Sequence, residues 1–562
     1  MQHPSKIFFF GIMILLCVFE LVAFAKERYV TPDEIMPILD EIDRLNKRLD
    51  ELDQQQQSEK LSEKDQQLID FLKQDMEELT EILERVETKS IVDRLEIGAE
   101  IRTRIDWYEF WGHDNVPFTN TPQDEKLHER IHMQPSNRFR LNLRAQISDN
   151  LKFTSRLTML RHWSDDDYSV YPDVNFLNST RVPGNLNLKV ERAYVDYFFE
   201  PHEYFPMAFT FGRLPSTDGL PTDLRENTPR KSTYPAIAYN VESDGIGMSL
   251  DLEPLTHIPK TAARFIGAIR YDDHEKYFMG KKLSGKKGVY RVDEQGMDPV
   301  YFLVFQLESH IPDFFGGLLA IMNVLYIPQA PRPDFRYNES LAPFYADDGL
   351  LFTQGEDSLG YLTKYTLFLE SKKFFGFNFD WFAGLSYMKT HAKSATEFML
   401  DPGALGLPLD PLPARDAYDL LKNYGANYAA QLKALENAPT PIGLLNNDGK
   451  SDHDAHCIHI GGRIDLPLSM KQCPKFGVEY NHGSKYWSNF GEASEDPLHK
   501  LATRGESWDF YLLQPISRFF LFRIGHTVTR HDYDQNLSFY YGEPLAIDHK
   551  ITNTYLLMDA KF

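Results

Sequence analysis

Downstream of Ile91 apolar and polar residues alternate with a period of two, whereas the stretch before it follows a helical period. The alternation is clearest in Leu95–Trp107. Leu95, Ile97, Ala99, Ile101, Ile105 and Trp107 share one parity with Thr103, while Glu96, Glu100, Arg102, Arg104 and Asp106 share the other with Gly98. Successive side chains of a strand point to opposite faces, so this stretch predicts a strand with one apolar and one charged face. In a water-soluble sheet the apolar face meets a core. In a membrane barrel it meets lipid, and the charged face meets a hydrated lumen.

The pattern recurs. Phe139, Leu141, Leu143, Ala145 and Ile147 alternate with Arg138, Arg140, Asn142, Arg144 and Gln146, and Asp149-Asn150 supplies a turn. Phe153, Leu157 and Met159 then oppose Lys152, Thr154, Arg156 and Thr158. After a long loop to Asn187, a fourth strand holds Arg192-Ala-Tyr-Val-Asp-Tyr197 and a fifth runs over Met207–Leu214. Further strands are expected around 237–252, 261–272, 299–309, 317–327, 359–370, 376–390, 456–466, 474–486, 505–514, 518–531 and 550–562. The total is about sixteen, with short turns at one end and long loops at the other, as in membrane barrels. Segment 392–455 breaks the alternation, and Arg415–Ala438 inside it reads as a helix, so a large surface loop is expected there. Aromatic pairs at Trp107, Tyr108, Phe110 and Trp111, at Tyr486 and Trp487, and at Tyr540 and Tyr541 fit interfacial girdles.

The last strand carries Thr552, Thr554, Leu556, Met558, Ala560 and Phe562 on one face. Outer-membrane barrels characteristically end on an aromatic residue, similar to the signal read by the barrel-assembly machinery, so Phe562 is the candidate assembly signal. Ala560 stands where such signals often carry a larger apolar residue. The first strand should pair with Ile551–Phe562 to close the barrel.

The chain before the barrel divides in two. Lys6, the apolar run Ile7–Phe19 and Ala23-Phe24-Ala25 have the layout of a secretory signal peptide over residues 1–25. Over 26–90, Ile35, Ile38, Ile42, Leu45, Leu49 and Leu52 form a seam with alternating spacings of three and four, resumed after Gln54–Gln57 by Leu61, Leu68, Leu72, Met76, Leu79, Leu83 and Val86. This predicts a periplasmic coiled coil, about 80 Å long if continuous at ~1.5 Å per residue. Isoleucine at both seam positions leans toward a homotrimer; a helical hairpin or a plug in the barrel are the alternatives. Residues 91–562 form the barrel domain.

Composition narrows the function. A net charge of -22 over 562 residues argues against nucleic acid as a partner. Beyond the leader no run of ~20 apolar residues occurs, which excludes a helical membrane protein but not a barrel. Cys457 and Cys473 lie at unequal distances from the turn near Pro467, so they do not face each other in a simple hairpin.

Pro215–Pro235 connects the fifth and sixth strands, the loop that porins commonly fold inward to constrict the barrel. Asp218, Asp223, Arg225, Glu226, Arg230 and Lys231 give it mixed charge. The inward faces of the first four strands supply Arg102, Arg104, Arg138, Arg140, Arg144, Arg156 and Arg192 as candidate pore-lining residues. An acidic loop opposite an arginine wall would set a transverse field across a constriction; the alternative is an ordinary external loop, with the arginines paired to Glu96, Glu100 and Asp106.

Arg192–Tyr197, Phe211-Gly-Arg-Leu-Pro-Ser-Thr-Asp-Gly219 and Asp223-Leu-Arg-Glu-Asn-Thr-Pro-Arg230 resemble a porin-like outer-membrane family catalogued as a domain of unknown function. The resemblance implies export, a coiled coil and a barrel in contact with outer-membrane lipid. It implies no substrate and no site residues.

An enzyme is not expected, since the chain holds neither a Gly-x-Ser-x-Gly elbow nor His-Glu-x-x-His. Asp452-His-Asp-Ala-His-Cys-Ile-His459 offers metal-ligand types, but strand alternation sends Cys457 to the face opposite His456, so no metal or other cofactor is expected. The expected function is passive diffusion of small hydrophilic solutes or ions through an outer-membrane porin. The alternative is a barrel scaffold of an envelope complex, sheathing a cytochrome or tethered to the cell wall. No Cys-x-x-Cys-His motif is present, so any haem would belong to a partner.

Overall fold

The computed structural model describes residues 94–115, 122–148, 150–162, 188–199, 206–215, 217–270, 277–280, 288–291, 300–312, 316–332, 351–356, 358–400, 409–413, 416, 422, 441–468, 472–491, 494–534 and 542–562. The expected leader and coiled coil, Tyr540, Tyr541 and most of Arg415–Ala438 lie outside the described residues.

Sixteen antiparallel strands close into a barrel. They are β1 Leu95–Asn115, β2 Pro122–Ser148, β3 Leu151–His162, β4 Lys189–Phe198, β5 Met207–Arg213, β6 Asp244–Asp251, β7 Ala262–Arg270 and β8 Val300–Ile311. The second half comprises β9 Leu318–Pro331, β10 Ser358–Ser371, β11 Phe379–Ala392, β12 Asp454–Asp465, β13 Lys475–Gly483, β14 Gly505–Pro515, β15 Phe520–Tyr533 and β16 Ala546–Lys561. β1 pairs with β16 from Glu100–Lys561 to Trp111–Lys550, the closure expected from the sequence. Phe562 extends it: its N–H donates to the Ala99 carbonyl (2.9 Å) and its carbonyl accepts from the Ala99 N–H (2.8 Å).

Contacts divide the chain into residues 1–97 with 143–152, and residues 98–142 with 153–562. In the first unit the Gln146 N–H donates to the Arg94 carbonyl (3.3 Å) and the Arg94 guanidinium to the Ile147 carbonyl (3.0 Å). The interior described below belongs to the second.

The sheet is apolar outside and polar inside. On β10, Tyr361, Tyr365 and Leu367 are exposed while Lys364, Thr366 and Glu370 are buried. On β14, Trp508, Phe510 and Leu512 are exposed while Ser507 and Asp509 are buried. Such a wall in water would waste its hydrophobic burial and strand its charges; in a bilayer both faces find their solvent.

Three expectations are corrected. The sixth strand begins at Asp244, not 237. Ala236-Ile237-Ala238-Tyr239 is apolar on both parities, which period-two reading accepts as strand, but these residues leave the sheet and pack inside the barrel. Segment 392–455 is not wholly a surface loop. Its 395–400, 412–413 and 442–443 form a small sheet with 351–355, and Ile442, Leu444 and Leu445 are buried. Finally, Tyr108, Phe110 and Trp487 belong to no interfacial girdle: all three are buried, and Trp487 is fully enclosed.

The interior core explains these departures. Ile237, Tyr239, Leu444, Trp487 and Phe490, all from loops, pack on inward residues such as Phe302 and Val304 of β8, Leu325 of β9 and Leu362 of β10. One inner wall of the barrel is therefore covered with apolar loop residues.

Candidate functional site

The opposite inner wall is charged. Alternation along β1 to β4 turns Arg102, Arg138, Arg140, Arg156 and Arg192 inward, each less than a tenth exposed. Buried guanidinium groups need counter-charges, and the barrel wall supplies only some. Arg138 meets Glu100 at 3.1 Å; Arg140 and Arg156 each meet Glu191 at 3.0 Å; Arg102 meets Asp559 of β16 at 2.7 Å.

The rest comes from the loop 214–243, which folds into the barrel. A Cβ on Gly219 would stand 2.7 Å from the Ala236 backbone, so only glycine allows the two limbs of the loop to approach this closely. Between them, α1 (Thr222–Glu226) forms a single short helix. Asp218 is held by Arg156 (2.6 Å), Arg140 (3.2 Å) and Arg192 (3.2 Å). Glu226 pairs with Arg102 and lies 3.0 Å from Lys231 and 3.3 Å from Lys561.

Burial pushes the Asp218 carboxyl upward, but Arg140, Arg156, Lys231 and Arg192 outweigh it and hold it well below the usual carboxylate range. The same competition, with Lys231, Lys561, Arg102 and Arg138 opposing burial, holds Glu226 well below its usual value. Both carboxylates stay ionised.

Other walls grip the loop too. Arg225 faces Glu479 of β13 at 3.4 Å. The Arg463 guanidinium donates to the Leu224 carbonyl (2.6 Å), and that of Arg523 to the Arg225 carbonyl (3.0 Å). Arg230 makes a two-pronged pair with Glu308 (2.5 and 2.8 Å), and Lys372 reaches Asp223 at 2.7 Å. Leu220 and Leu224 pack on Leu319, Ile321, Phe368 and Phe382 of β9 to β11. The loop is thus a crossbeam, with charges docked on the β1–β4 wall and leucines docked on the opposite side.

Residues 484–491 and 494–504 also fold inward. Glu495 pairs with Arg102 (3.1 Å), Arg138 and Arg140 (2.6 Å), the same arginines that hold the first loop. Lys364 of β10 lies 4.2 Å from the centre of the Trp487 ring and donates to Asn489 Oδ1 (3.2 Å). The Trp487 indole N–H donates to the Leu501 carbonyl (2.8 Å), and Arg504 Nε to the Trp487 carbonyl (2.8 Å). The two loops touch directly where the Asn240 N–H donates to the Phe490 carbonyl (2.6 Å).

Between the loops and the wall lies a polar cavity of about 80 Å³, enough for several waters. Arg102, Arg104 and Arg523 of the wall and Asp218, Glu495 and Asp496 of the loops line it. Arg104 pairs with Asp106 (2.8 Å) and stacks on Tyr555 at 4.4 Å from the ring centre; Arg523 lies 5.4 Å from the same ring. Burial raises the Asp496 carboxyl, but Lys500, Arg225 and Arg104 outweigh it and hold it below its usual value.

All five loop residues singled out in the sequence, Asp218, Asp223, Arg225, Glu226 and Arg230, are therefore inside, and five of the seven wall arginines join the two loops. Arg104 turns to its own strand, and Arg144 is exposed. The transverse field across a gap is replaced by direct contact, since acids and arginines touch. Of the acids named in the alternative, Glu100 and Asp106 pair with arginines, whereas Glu96 is exposed. Asp559, Glu479 and Arg523 were missed, although each lies on the inward parity of its strand. Glu495 sits in a loop without periodicity, where no pattern points to it.

The residues of 452–459 diverge. His453 stacks on Tyr486 at 3.7 Å, His456 is exposed, and Cys457 and His459 are buried. Among the described residues no three-ligand metal cluster is found, and Cys457 and Cys473 are free thiols.

The family model described as "Protein of unknown function (DUF3373)" matches residues 130–560. No curated protein matches the chain. Among solved structures, the chain is similar to OprB of Pseudomonas putida at high pH, at 10% identity and a TM-score of 0.39, covering 85% of this chain and 96% of that one. It is also similar to the outer-membrane channel DcaP of Acinetobacter baumannii, at 12% identity and a TM-score of 0.36, covering 83% and 97%. A third is the anion-selective porin of Comamonas acidovorans, at 9% identity and a TM-score of 0.35, covering 83% and 99%.

Proposed function

The chain belongs to the DUF3373 family of proteins of unknown function, and for it we propose a narrow outer-membrane channel that passes small hydrophilic solutes or ions down their gradients. The observation that carries this reading is the charged crossbeam. An apolar exterior suits lipid, and loop 214–243 narrows the polar interior to a charge-lined cavity at the level of Arg102 and Asp218. Rings of charged side chains are how pores discriminate among ions. The reading requires no catalytic group. Arg102, Arg138, Arg140, Arg156 and Arg192 act in it as the scaffold that sets the aperture, and Phe562 as the mark read by the assembly machinery. The N-terminal segment would stand in the periplasm and join three copies through its seam.

Purified protein in planar bilayers tests this. We expect small, discrete conductance steps and slow entry of small neutral sugars into proteoliposomes. Absence of conductance and of solute entry from correctly assembled protein would sink the channel reading. It would then favour a closed barrel scaffold, which the apolar loop core around Trp487 and Tyr239 supports as the second reading.

A further inference from the structure

Most charges lining the cavity are already matched. Arg102 is shared by Glu226, Glu495 and Asp559, Arg104 has Asp106, and Arg225 has Glu479. On the acidic side, Asp218 has its three arginines and Asp509 has Lys500 at 2.5 Å. Two charges remain. Arg523 is only 7% exposed and lines the cavity; its guanidinium donates to the Arg225 carbonyl, its Nε has no hydrogen-bond partner, and no carboxylate pairs with it among the described residues. Asp496 lines the same cavity and accepts the backbone N–H groups of Leu498 (3.1 Å) and Lys500 (3.4 Å), but pairs with no cation among the described residues.

A buried guanidinium without a carboxylate is costly. Against burial, Lys500, Arg225 and Arg104 nearby lower the Asp496 carboxyl, but it has no cation at ion-pair distance among the described residues, so it still has room for one. A solute carrying only a negative charge would satisfy Arg523 but meet Asp496, and a solute carrying only a positive charge would meet Arg523. A molecule with one of each satisfies both. Resting on the channel reading, and naming the solute class for it, we infer that the cavity binds a small zwitterion bearing one carboxylate and one ammonium group. Arg523 takes the carboxylate and Asp496 the ammonium. The volume, room for several waters, fits a short amino acid.

The probe is glycine, with its neutral isomer glycolamide and with acetate as controls. Calorimetric titration of the detergent-solubilised full chain should show glycine binding, no glycolamide binding, and acetate binding weaker than glycine. Arg523→Gln and Asp496→Asn should each weaken glycine binding roughly tenfold, the value of one lost charge-assisted contact. Arg523→Lys, which keeps the charge, should retain part of it, and Arg530→Gln on the exposed surface should change nothing. Heat-modifiable migration on a gel verifies that each variant has folded. Acetate binding as tight as glycine would show a plain anion site and overturn the assignment; so would glycine binding unaffected by both substitutions, or no binding at all. Vesicle swelling in glycolamide separates the two ideas. Swelling without glycine binding leaves the channel standing and removes this inference, whereas binding without swelling supports the site in a barrel that does not conduct.

Discussion

Asp218→Asn isolates the charge that fastens the crossbeam. Asp218 sits at φ 61°, a conformation that Asn tolerates as well as Asp, so the substitution removes charge without adding backbone strain. It deletes contacts to Arg156, Arg140 and Arg192 at 2.6, 3.2 and 3.2 Å. Removing one partner of a buried pair costs about 3–5 kcal/mol. Glu191 still serves the same three arginines at 3.0, 3.0 and 3.4 Å, so the low end, about 3 kcal/mol, applies. That corresponds to roughly a hundredfold fall in the ratio of docked to undocked loop. Release remains incomplete, because Glu226, Arg230 and Asp223 still hold. Burial of Leu220 and Leu224, each 1% exposed, contributes a further ~1.5–3 kcal/mol apiece. In planar bilayers the variant should visit a larger conductance level that the wild type rarely reaches. In a Cys473→Ser background, which removes the exposed native thiol, Thr222→Cys should be labelled faster when Asp218 is Asn. Identical current traces and identical labelling rates would refute the crossbeam.

Three further outcomes follow from the same contacts. Asp218 and Glu226 are depressed below their unfolded values, so their contribution is complete above about pH 4 and is lost only as the pH falls through the lower folded values. Opening through loss of these two carboxylates should therefore begin only below about pH 4.5, and a wild type whose conductance at about pH 6 already matches that of Asp218→Asn would contradict the carboxylate latch. Gly525 of β15 lies opposite Tyr555 of β16, and a methyl group there would strike the Tyr555 ring. Gly525→Ala should displace the ring from Arg104 and from Asp509, to which its hydroxyl donates at 3.3 Å. The cost of about 1–3 kcal/mol would be read as a lower midpoint of heat-modifiable unfolding. Deleting Phe562 removes both backbone bonds to Ala99 and should lower the assembled fraction on the same gel; normal insertion would count against its role as an assembly mark.

Much of the barrel could be read from the sequence because lipid and lumen impose opposite polarities on alternate residues. Leu95–Trp107, Arg138–Ser148 and the last strand each declare both faces. The same rule explains the errors. Where both parities are apolar, as in Ala236–Tyr239, alternation cannot separate a strand from a segment that packs on an interior wall. Glu191 illustrates a different gap: it precedes Arg192 directly, yet both are buried among the same arginines, so alternation fails at the start of β4. The inward loop was legible from its place after the fifth strand and from its charges. Its anchors on β12 to β15 were not, because a contact such as Arg463 to Leu224, 239 residues apart, leaves no trace in local spacing.

The shared arginines also bear on the order of assembly. Arg102 joins Asp559, 457 residues later, and Glu495, 393 residues later. Contacts of such sequence separation form late. Until β16 closes on β1, the guanidinium groups of the first strands lack a large share of their counter-charges and must stay hydrated. Arg102 and Glu226 gain their partners Asp559 and Lys561 only when the last strand arrives. A chain truncated near its end would lose more than a seam: Arg102 and Glu226 would each lose an interior partner, so quality control could recognise an unfinished barrel by its unmatched interior charge.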